Sequence, residues 1–264
     1  MNTKTPTLQK LEDQTFIITL TITQKQIEEE YQKSLKKIQQ SFKTKGFRTG
    51  KVPLDIIEDQ LDQDKIIEDI LSQLIPPLYV SQIKKHQLKP IISPQIKTLN
   101  PPLTLKKDWQ IQITGCQLPQ IKINPNYKSK IAKINKSSSD QKEPLIIDTL
   151  INNAKVSFPD ILIQTETERQ LVKLVDQIQQ TGLTVSQYFQ NKNTNLENYK
   201  KQLQEQIKKD WTVQLSLDQL ARQEKITVPK EEIKKITSKN PNIDPQFANH
   251  LLLQQQVLNF LKKL

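Results

Sequence analysis

The chain has 264 residues, enough for two domains of ordinary size, and a formal net charge of +11, which indicates an anionic partner such as RNA, ribonucleoprotein or an anionic membrane. Only 35% of the residues are apolar and only four are glycine, a composition that argues against a compact barrel or sandwich. We therefore expect long helices with thin cores in an elongated protein.

The single cysteine and the hydropathy of the chain indicate its compartment. Cys116 has no partner for an intrachain disulfide and is predicted to be a small buried residue of a strand. The first 25 residues contain no apolar run typical of a signal peptide. No stretch approaches the roughly 18 apolar residues of a membrane-spanning helix. We expect a cytoplasmic protein that has no membrane partner.

The N-terminal part begins with a predicted strand and a long helix. Residues 15–23 are β-branched and aromatic, and one of their two alternating faces is apolar, which indicates a strand. Thr23 and Gln26 have the spacing of a capping box, so a helix is predicted to start there. Its apolar residues recur at spacings of three and four: Ile27, Tyr31, Leu35, Ile38 and Phe42.

A second helical region follows. Pro53 suits the first turn of a helix, where its missing N–H costs nothing. The Pro76-Pro77 pair is predicted to interrupt this helix, with a second piece running to about His86. The segment 55–69 contains seven acidic residues against one lysine and is predicted to be a solvated helix face.

Residues 88–100 and 108–123 are predicted strands, joined by a proline-rich turn. Together with the first strand they form a small antiparallel sheet beside two long helices. The fold class predicted for residues 1–123 is therefore α+β.

The remainder of the chain is predicted to be helical. Residues 124–143 are polar, contain three consecutive serines and are predicted to be a linker. Residues 144–264 have helical periodicity throughout and are predicted to form an all-α domain. Its longest helix is expected at about 196–224, and its last at about 246–264.

A basic segment that ends in a glycine-containing loop is the most informative part of the sequence. Residues 31–54 contain seven lysines or arginines and no acidic residue, and Gly46 and Gly50 enclose an aromatic residue, Phe47, in an exposed turn. An aromatic side chain beside Arg48 in water favours a docking function. The alternative is a lysine-rich helix end that only keeps the protein soluble. The candidate binding residues are Lys43, Lys45, Gly46, Phe47, Arg48, Gly50, Lys51 and Pro53.

The same loop carries a resemblance to a known family. Residues 46–53, with the sequence GFRTGKVP, resemble the GFRxGKxP signature of trigger factor, a bacterial ribosome-associated chaperone. The family often has lysine at the position of Thr49, so this loop has one charge fewer. Weaker likenesses follow in the family's order: LKP at 88–90, FPDILIQTETERQL at 158–171 and ITVPKEEI at 226–233.

The resemblance implies a ribosome-binding domain at residues 1–123 and a helical-arm chaperone domain at 144–264. It implies as partners the large ribosomal subunit, through protein and rRNA near the exit tunnel, and unfolded nascent polypeptides. The family's FKBP-like prolyl-isomerase domain needs a strand-rich, glycine-containing stretch, and Gly182 is the one glycine between residues 117 and 264. We therefore expect that domain to be missing, with no cofactor and no small-molecule substrate.

No catalytic group of residues is predicted. His86 and His250 have no cysteine or paired carboxylate at ligand spacing, and each is expected to be a surface or cap residue. Glu166 and Glu168 are two positions apart on a helix and face different ways, so acid–base cooperation is not expected.

Three other functions stay open at this point. A nucleic-acid-binding protein could use the basic loop, although no stacking aromatics are interleaved with its charges. A prolyl isomerase is the activity attached to the family by name. A periplasmic chaperone with helical arms would need a signal peptide. The sequence does not divide the apolar helix faces between core and client surface, so the client-binding residues stay unassigned.

Overall fold

The computed structural model describes residues 6–136, 141–240 and 242–264. The chain divides into two compact units, with the boundary between Leu118 and Pro119. Each unit has its own hydrophobic core.

The first unit is an α+β fold. Its described residues include four strands, which form one antiparallel sheet in the order β1-β2-β4-β3. In chain order its elements are β1 (Thr7–Lys10), β2 (Thr15–Ile22), α1 (Gln24–Ser41), α2 (Leu54–Gln60), α3 (Gln63–Lys85), β3 (Gln95–Thr98) and β4 (Trp109–Cys116). The predicted α+β class of this region is confirmed.

The alternation in β2 places one of its faces in the core. Phe16, Ile18, Leu20 and Ile22 are all buried, and in the register with β4 Ile22 lies opposite Trp109. Gly115 of β4 lies opposite Phe16, and a Cβ at this glycine would come within 2.5 Å of the phenyl ring. Cys116, the last residue of β4, is buried as predicted.

Helix α1 begins where the sequence indicates. The Thr23 hydroxyl accepts a hydrogen bond from the Gln26 N–H, and the Gln26 side chain accepts one from the Thr23 N–H, which completes the capping box. Ile27 and Leu35 are fully buried against the sheet and α3. The helix ends at Ser41.

Helix α3 corrects one prediction. It runs without a break through Pro76 and Pro77, where an interruption was expected. Each internal proline removes a backbone donor and costs about 3 kcal/mol in an isolated helix. Here Ile70 and Ile75 are buried before the pair and Ile83 packs against the same core after it, so burial in that core holds both halves on one axis.

The strands after α3 are shorter than predicted. Of the region 88–100, residues 95–98 form β3, and of 108–123 residues 109–116 form β4. Pro119 separates β4 from residues 121–123, which belong to the second unit. There they pair with a strand that the sequence did not indicate, at residues 154–156.

The second unit is mainly helical. A two-stranded antiparallel ribbon pairs its strands β5 and β6. In chain order its elements are β5 (Ile121–Ile123), α4 (Tyr127–Asn135), α5 (Lys142–Asn153), β6 (Ala154–Val156), α6 (Asp160–Gln180), α7 (Val185–Asn191), α8 (Leu196–Gln223), α9 (Lys230–Lys239) and α10 (Pro245–Leu261). The predicted helical C-terminal region is confirmed, with β6 as an addition to it.

The predicted linker at 124–143 is wrong for most of its described residues. Residues 127–135 form α4, whose Tyr127 and Ile131 are buried in one cluster with residues of α5, α8 and α10. The Asn135 side chain also donates to the Leu261 carbonyl at 2.9 Å. Two core residues four positions apart are enough to dock a short polar helix. The serine triplet at 137–139 lies outside the described residues.

Helix α8 is the longest element and connects the parts of this unit. Its 28 residues correspond to a length of about 42 Å. Its C-terminal half contributes Leu217, Leu220 and Ala221 to the core shared with α4, α5 and α10. The helix also packs against α6. Within the described parts of the chain, none of the helices combines the length and apolar character needed to cross a bilayer.

Candidate functional site

The basic loop, defined as residues 43–53, joins α1 to α2 in the first unit. Its two ends are fixed in the core. Val52 is fully buried, and Phe42, the residue just before the loop, is partly buried against the same cluster. The Gln39 side chain of α1 donates to the Val52 carbonyl at 2.7 Å and ties the returning strand of the loop to the helix. The tip therefore projects from a fixed base.

Two turns shape the tip. The Phe47 N–H points to the Thr44 carbonyl at 3.5 Å, and the Lys51 N–H donates to the Arg48 carbonyl at 2.9 Å. Gly46 and Gly50 complete these turns with φ of 88° and 81°, a region that side chains disfavour. A Cβ at Gly46 would meet no atom within 4 Å, so backbone conformation and not space requires glycine there.

The four cations of the loop are exposed, and within the described residues none of them forms an ion pair with a carboxylate; they are Lys43, Lys45, Arg48 and Lys51. On α1, by contrast, Lys33 pairs with Glu30 at 2.9 Å. An unpaired cation loses no existing partner on binding an anion. The loop is therefore electrostatically ready to contact phosphates or carboxylates.

Phe47 lies among these charges with 43% of its surface exposed. It stands between the two glycine turns and directly before Arg48. An aromatic ring with one end free can bury further area against a partner while its backbone is already placed. The structure thus brings the predicted anchor and the predicted cations to one tip.

Pro53 ends the loop and starts α2. It is the N-cap residue of that helix, and its carbonyl accepts the Ile57 N–H at 3.3 Å. Its position fixes the exit of the loop. The contribution of Gln39 was missed by sequence reasoning, because a glutamine within a lysine-rich helix carries no pattern of its own.

Two of the candidate acid–base residues occupy ordinary structural positions. His86 is the C-cap of α3, as expected. Glu166 accepts a hydrogen bond from Arg169 at 2.6 Å. In the described ranges, no group of three histidine, cysteine or acidic side chains could hold a metal ion.

The second unit has an apolar groove of about 500 Å³ between α5, α8 and α10. Two of its lining residues, Phe247 and Leu251, are 55% and 48% exposed and lie one turn apart on α10. In the same groove His250 Nε2 accepts a hydrogen bond from the Gln254 side-chain amide at 3.0 Å, and His250 Nδ1 lies 3.6 Å from an Asp218 oxygen. Burial raises the pKa of the Asp218 carboxyl, against the opposing effect of His250. Sequence periodicity predicted the last helix but not the groove.

Known proteins resemble this chain in sequence and in fold. The family model "Bacterial trigger factor protein (TF)" matches residues 4–153, and "Bacterial trigger factor protein (TF) C-terminus" matches residues 124–263. The trigger factor of Streptococcus pneumoniae (strain JJA) is 26% identical over 113 residues, which are 43% of this chain and 26% of that protein. That of Staphylococcus carnosus (strain TM300) is 26% identical over 144 residues, which are 54% and 32% of the two chains. The match thus spans less than a third of the length of these curated relatives.

A solved structure from work on promiscuous substrate recognition in the folding and assembly activities of the trigger factor chaperone is also similar. It aligns with a TM-score of 0.62 over 97% of this chain and 99% of its own, at 12% identity. At that identity the likeness shows a shared fold. Because each of the two family models matches more than half of the residues, the chain belongs to the bacterial trigger factor family.

Proposed function

We propose that this protein is an ATP-independent chaperone that docks on the large ribosomal subunit near the nascent-chain exit and holds newly made polypeptides while they fold. The observation that carries the proposal is the basic loop, which presents an exposed phenylalanine and four cations, none of them ion-paired within the described residues, on a fixed base. Membership of the trigger factor family and the fold of a solved trigger factor chaperone support it.

Docking would combine charge with one apolar anchor. Arg48 and Lys51 contact phosphates of rRNA or acidic side chains of a ribosomal protein, and Phe47 inserts into an apolar pocket. Lys43 and Lys45 add long-range attraction. Since each phosphate contact releases counterions, the affinity falls steeply as salt rises.

Holding would use the apolar groove of the second unit. Phe247 and Leu251 offer exposed apolar area that an unfolded segment can cover reversibly. Weak, reversible cover of this kind delays aggregation without chemistry, a cofactor or ATP. In this proposal the protein works in the cytoplasm, on unfolded nascent chains.

The proposal assigns no prolyl-isomerase activity to the chain. The two family matches overlap at residues 124–153 and so leave no residues between them for an intervening domain. A proline-peptide isomerisation assay above background would contradict this part.

Co-sedimentation with bacterial ribosomes across a salt series tests the docking step. The test variant is Phe47→Ala/Arg48→Ala/Lys51→Ala. The control variant, Val172→Ala/Lys234→Ala/Lys235→Ala, removes the same charge and one exposed apolar residue from α6 and α9. We expect wild type and control to pellet with the large subunit at low salt and the test variant to stay in the supernatant.

Two results would refute docking through the loop. One is that test and control variants pellet alike. The other is that wild type binds naked RNA as well as it binds intact ribosomes, which would favour a general nucleic-acid-binding protein.

A further inference from the structure

The first unit also contains a groove, and none of its lining residues belongs to the basic loop. We call it the acidic groove; it has a volume of about 430 Å³ and lies between α1, the α2–α3 junction and the segment 103–106. Its apolar lining includes Tyr31, Leu61, Ile67, Leu103 and Leu105, all partly exposed and packed against the core. The volume falls within the range of about 300–1,000 Å³ of ligand pockets.

The walls of the acidic groove are held in place before any ligand binds. The indole N–H of buried Trp109 donates to the Thr104 carbonyl at 2.8 Å and fixes the segment 103–106. The Ser34 hydroxyl of α1 donates to an Asp69 oxygen of α3 at 2.6 Å and fixes the distance between the two helices. A rigid groove loses little conformational entropy when a ligand enters.

Carboxylates give this groove its charge. Glu58 and Asp59 line it, are exposed, and form no ion pair with any cation of the described residues. Burial, together with the charge of Glu58 and a hydrogen bond to it, raises the pKa of Tyr31 to about 12, so its hydroxyl stays neutral. Lys106 also lines the groove, so one cation stands against two carboxylates that have no ion pair among the described residues.

This combination of apolar lining and unpaired carboxylates selects one class of ligand. RNA is repelled by the carboxylates, and a purely apolar ligand leaves them without a partner. A polypeptide segment with an apolar side chain next to a lysine or arginine satisfies both. Such segments are common in unfolded chains and are buried or dispersed in folded ones.

We propose that the acidic groove binds a short extended segment of an unfolded polypeptide, with an aromatic or large aliphatic side chain on the apolar lining and the neighbouring Lys or Arg paired with Glu58 and Asp59. The inference rests on the proposed holding function and adds a client site in the first unit. In this proposal the basic loop binds the anionic ribosome, and the acidic groove binds the cationic client segment.

Fluorescence anisotropy with labelled glycine- and serine-flanked peptides tests the groove in the full chain. The central dipeptide is Phe-Arg in one peptide and Phe-Glu in the other. The variant Glu58→Gln/Asp59→Asn removes both charges with almost no change of shape. The control Glu12→Gln/Glu68→Gln removes two exposed carboxylates that do not line the groove.

We expect wild type and control to bind the Phe-Arg peptide alike and more tightly than the Phe-Glu peptide. The variant Glu58→Gln/Asp59→Asn should bind Phe-Arg about fivefold to tenfold more weakly, since each exposed ion pair contributes up to about 1 kcal/mol. Equal binding of the Phe-Arg peptide by variant and control overturns the proposal, as does equal binding of the two peptides by wild type.

A second copy of this chain is the other occupant to exclude. Its basic loop also places an aromatic beside an arginine. Sedimentation velocity distinguishes the two occupants. If wild type self-associates and both Glu58→Gln/Asp59→Asn and Phe47→Ala/Arg48→Ala abolish the self-association, the loop of a second copy fills the groove and the client proposal is wrong.

Suppression of client aggregation, measured on the same proteins, separates the proposed holding function from the proposed groove site. If wild type does not suppress aggregation, the holding function itself is refuted. If wild type suppresses aggregation but Glu58→Gln/Asp59→Asn binds the peptide as well as wild type does, only the groove proposal is refuted.

Discussion

Phe47 and Val52 are five residues apart in one loop, yet their substitution by alanine should damage different properties. Val52 is fully buried, whereas Phe47 is 43% exposed. Val52→Ala removes two methyl groups from the core, about 1.6 kcal/mol of transfer free energy, and leaves a cavity beside the Gln39 hydrogen bond. We expect the free energy of unfolding of the first unit to fall by about 2–3 kcal/mol.

Phe47→Ala should change stability little and weaken ribosome binding strongly. A little over half of the Phe47 surface is covered in the folded protein, and stabilisation calculated from buried area is an upper bound. We therefore expect Phe47→Ala to lower the free energy of unfolding by no more than about 1 kcal/mol. If the ring is the docking anchor, its truncation costs about 2 kcal/mol of binding, or roughly a 30-fold weaker ribosome affinity.

Urea unfolding followed by tryptophan fluorescence measures the first quantity, and ribosome co-sedimentation the second. The background should carry Trp211→Phe, so that Trp109, which is buried in the first unit, is the remaining reporter. Docking by Val52→Ala should approach the wild-type level at temperatures where it is folded. If the two variants lose stability and docking in parallel, the loop is not a fixed frame with a separate contact residue, and the reasoning is refuted.

Three further predictions concern single groups. Thr23→Ala breaks the capping box of α1 and should lower the midpoint of urea unfolding by an amount equivalent to about 1 kcal/mol, whereas Thr23→Ser should restore most of it. Gly46→Ala should cost about 1 kcal/mol in the same assay through its positive φ, and Gly46→Asn less, since asparagine tolerates this region. Burial raises the pKa of Cys116 to about 11, so at pH 8 about one thiol in a thousand is ionised and a thiolate-specific reagent should react only as fast as the unit opens. Because this folded-state pKa lies above the ordinary value of 9.0, the Cys116 contribution to stability is complete below pH 9 and is lost as pH rises from 9 towards 11, which a series of unfolding curves would show.

The elements that the sequence predicted well are those whose signal is local. In β2 a single alternating face specified both the strand and its buried side, and Thr23 with Gln26 specified the start of α1. The long periodic pattern of α8 was located within a residue at each end. In each of these cases the residues that decide the structure lie next to one another in the chain.

The errors arose where distant packing decided the outcome. The proline pair of α3 is tolerated because Ile75 before it and Ile83 after it both pack in the core of the first unit. Helix α4 exists because Tyr127 and Ile131 reach the core of the second unit. The local sequence indicates a break in the first case and a linker in the second. Only the tertiary contacts, which the local pattern does not contain, reverse these two interpretations.

The candidate site divides in the same way. The charges, the glycines and Phe47 of the basic loop are consecutive, so their grouping was visible in the sequence. The hydrogen bond from Gln39 to Val52 and the two grooves join residues from separate elements. Grooves of this kind depend on which helix faces remain uncovered, and that is settled by the fold as a whole.

The two proposed activities of the chain respond to salt in opposite ways, which follows from the kind of surface each one uses. Contacts of exposed cations with phosphates weaken as ionic strength rises, because the Debye length shrinks from about 10 Å at 0.1 M to about 3 Å at 1 M salt. Binding at Phe247 and Leu251 is apolar and is maintained or strengthened by salts that are excluded from the protein surface. At high salt the protein should therefore leave the ribosome while still suppressing aggregation of a client through its second unit. Loss of both activities at the same salt concentration would mean that one surface serves both, and the assignment of docking to the basic loop and holding to the apolar groove would fail.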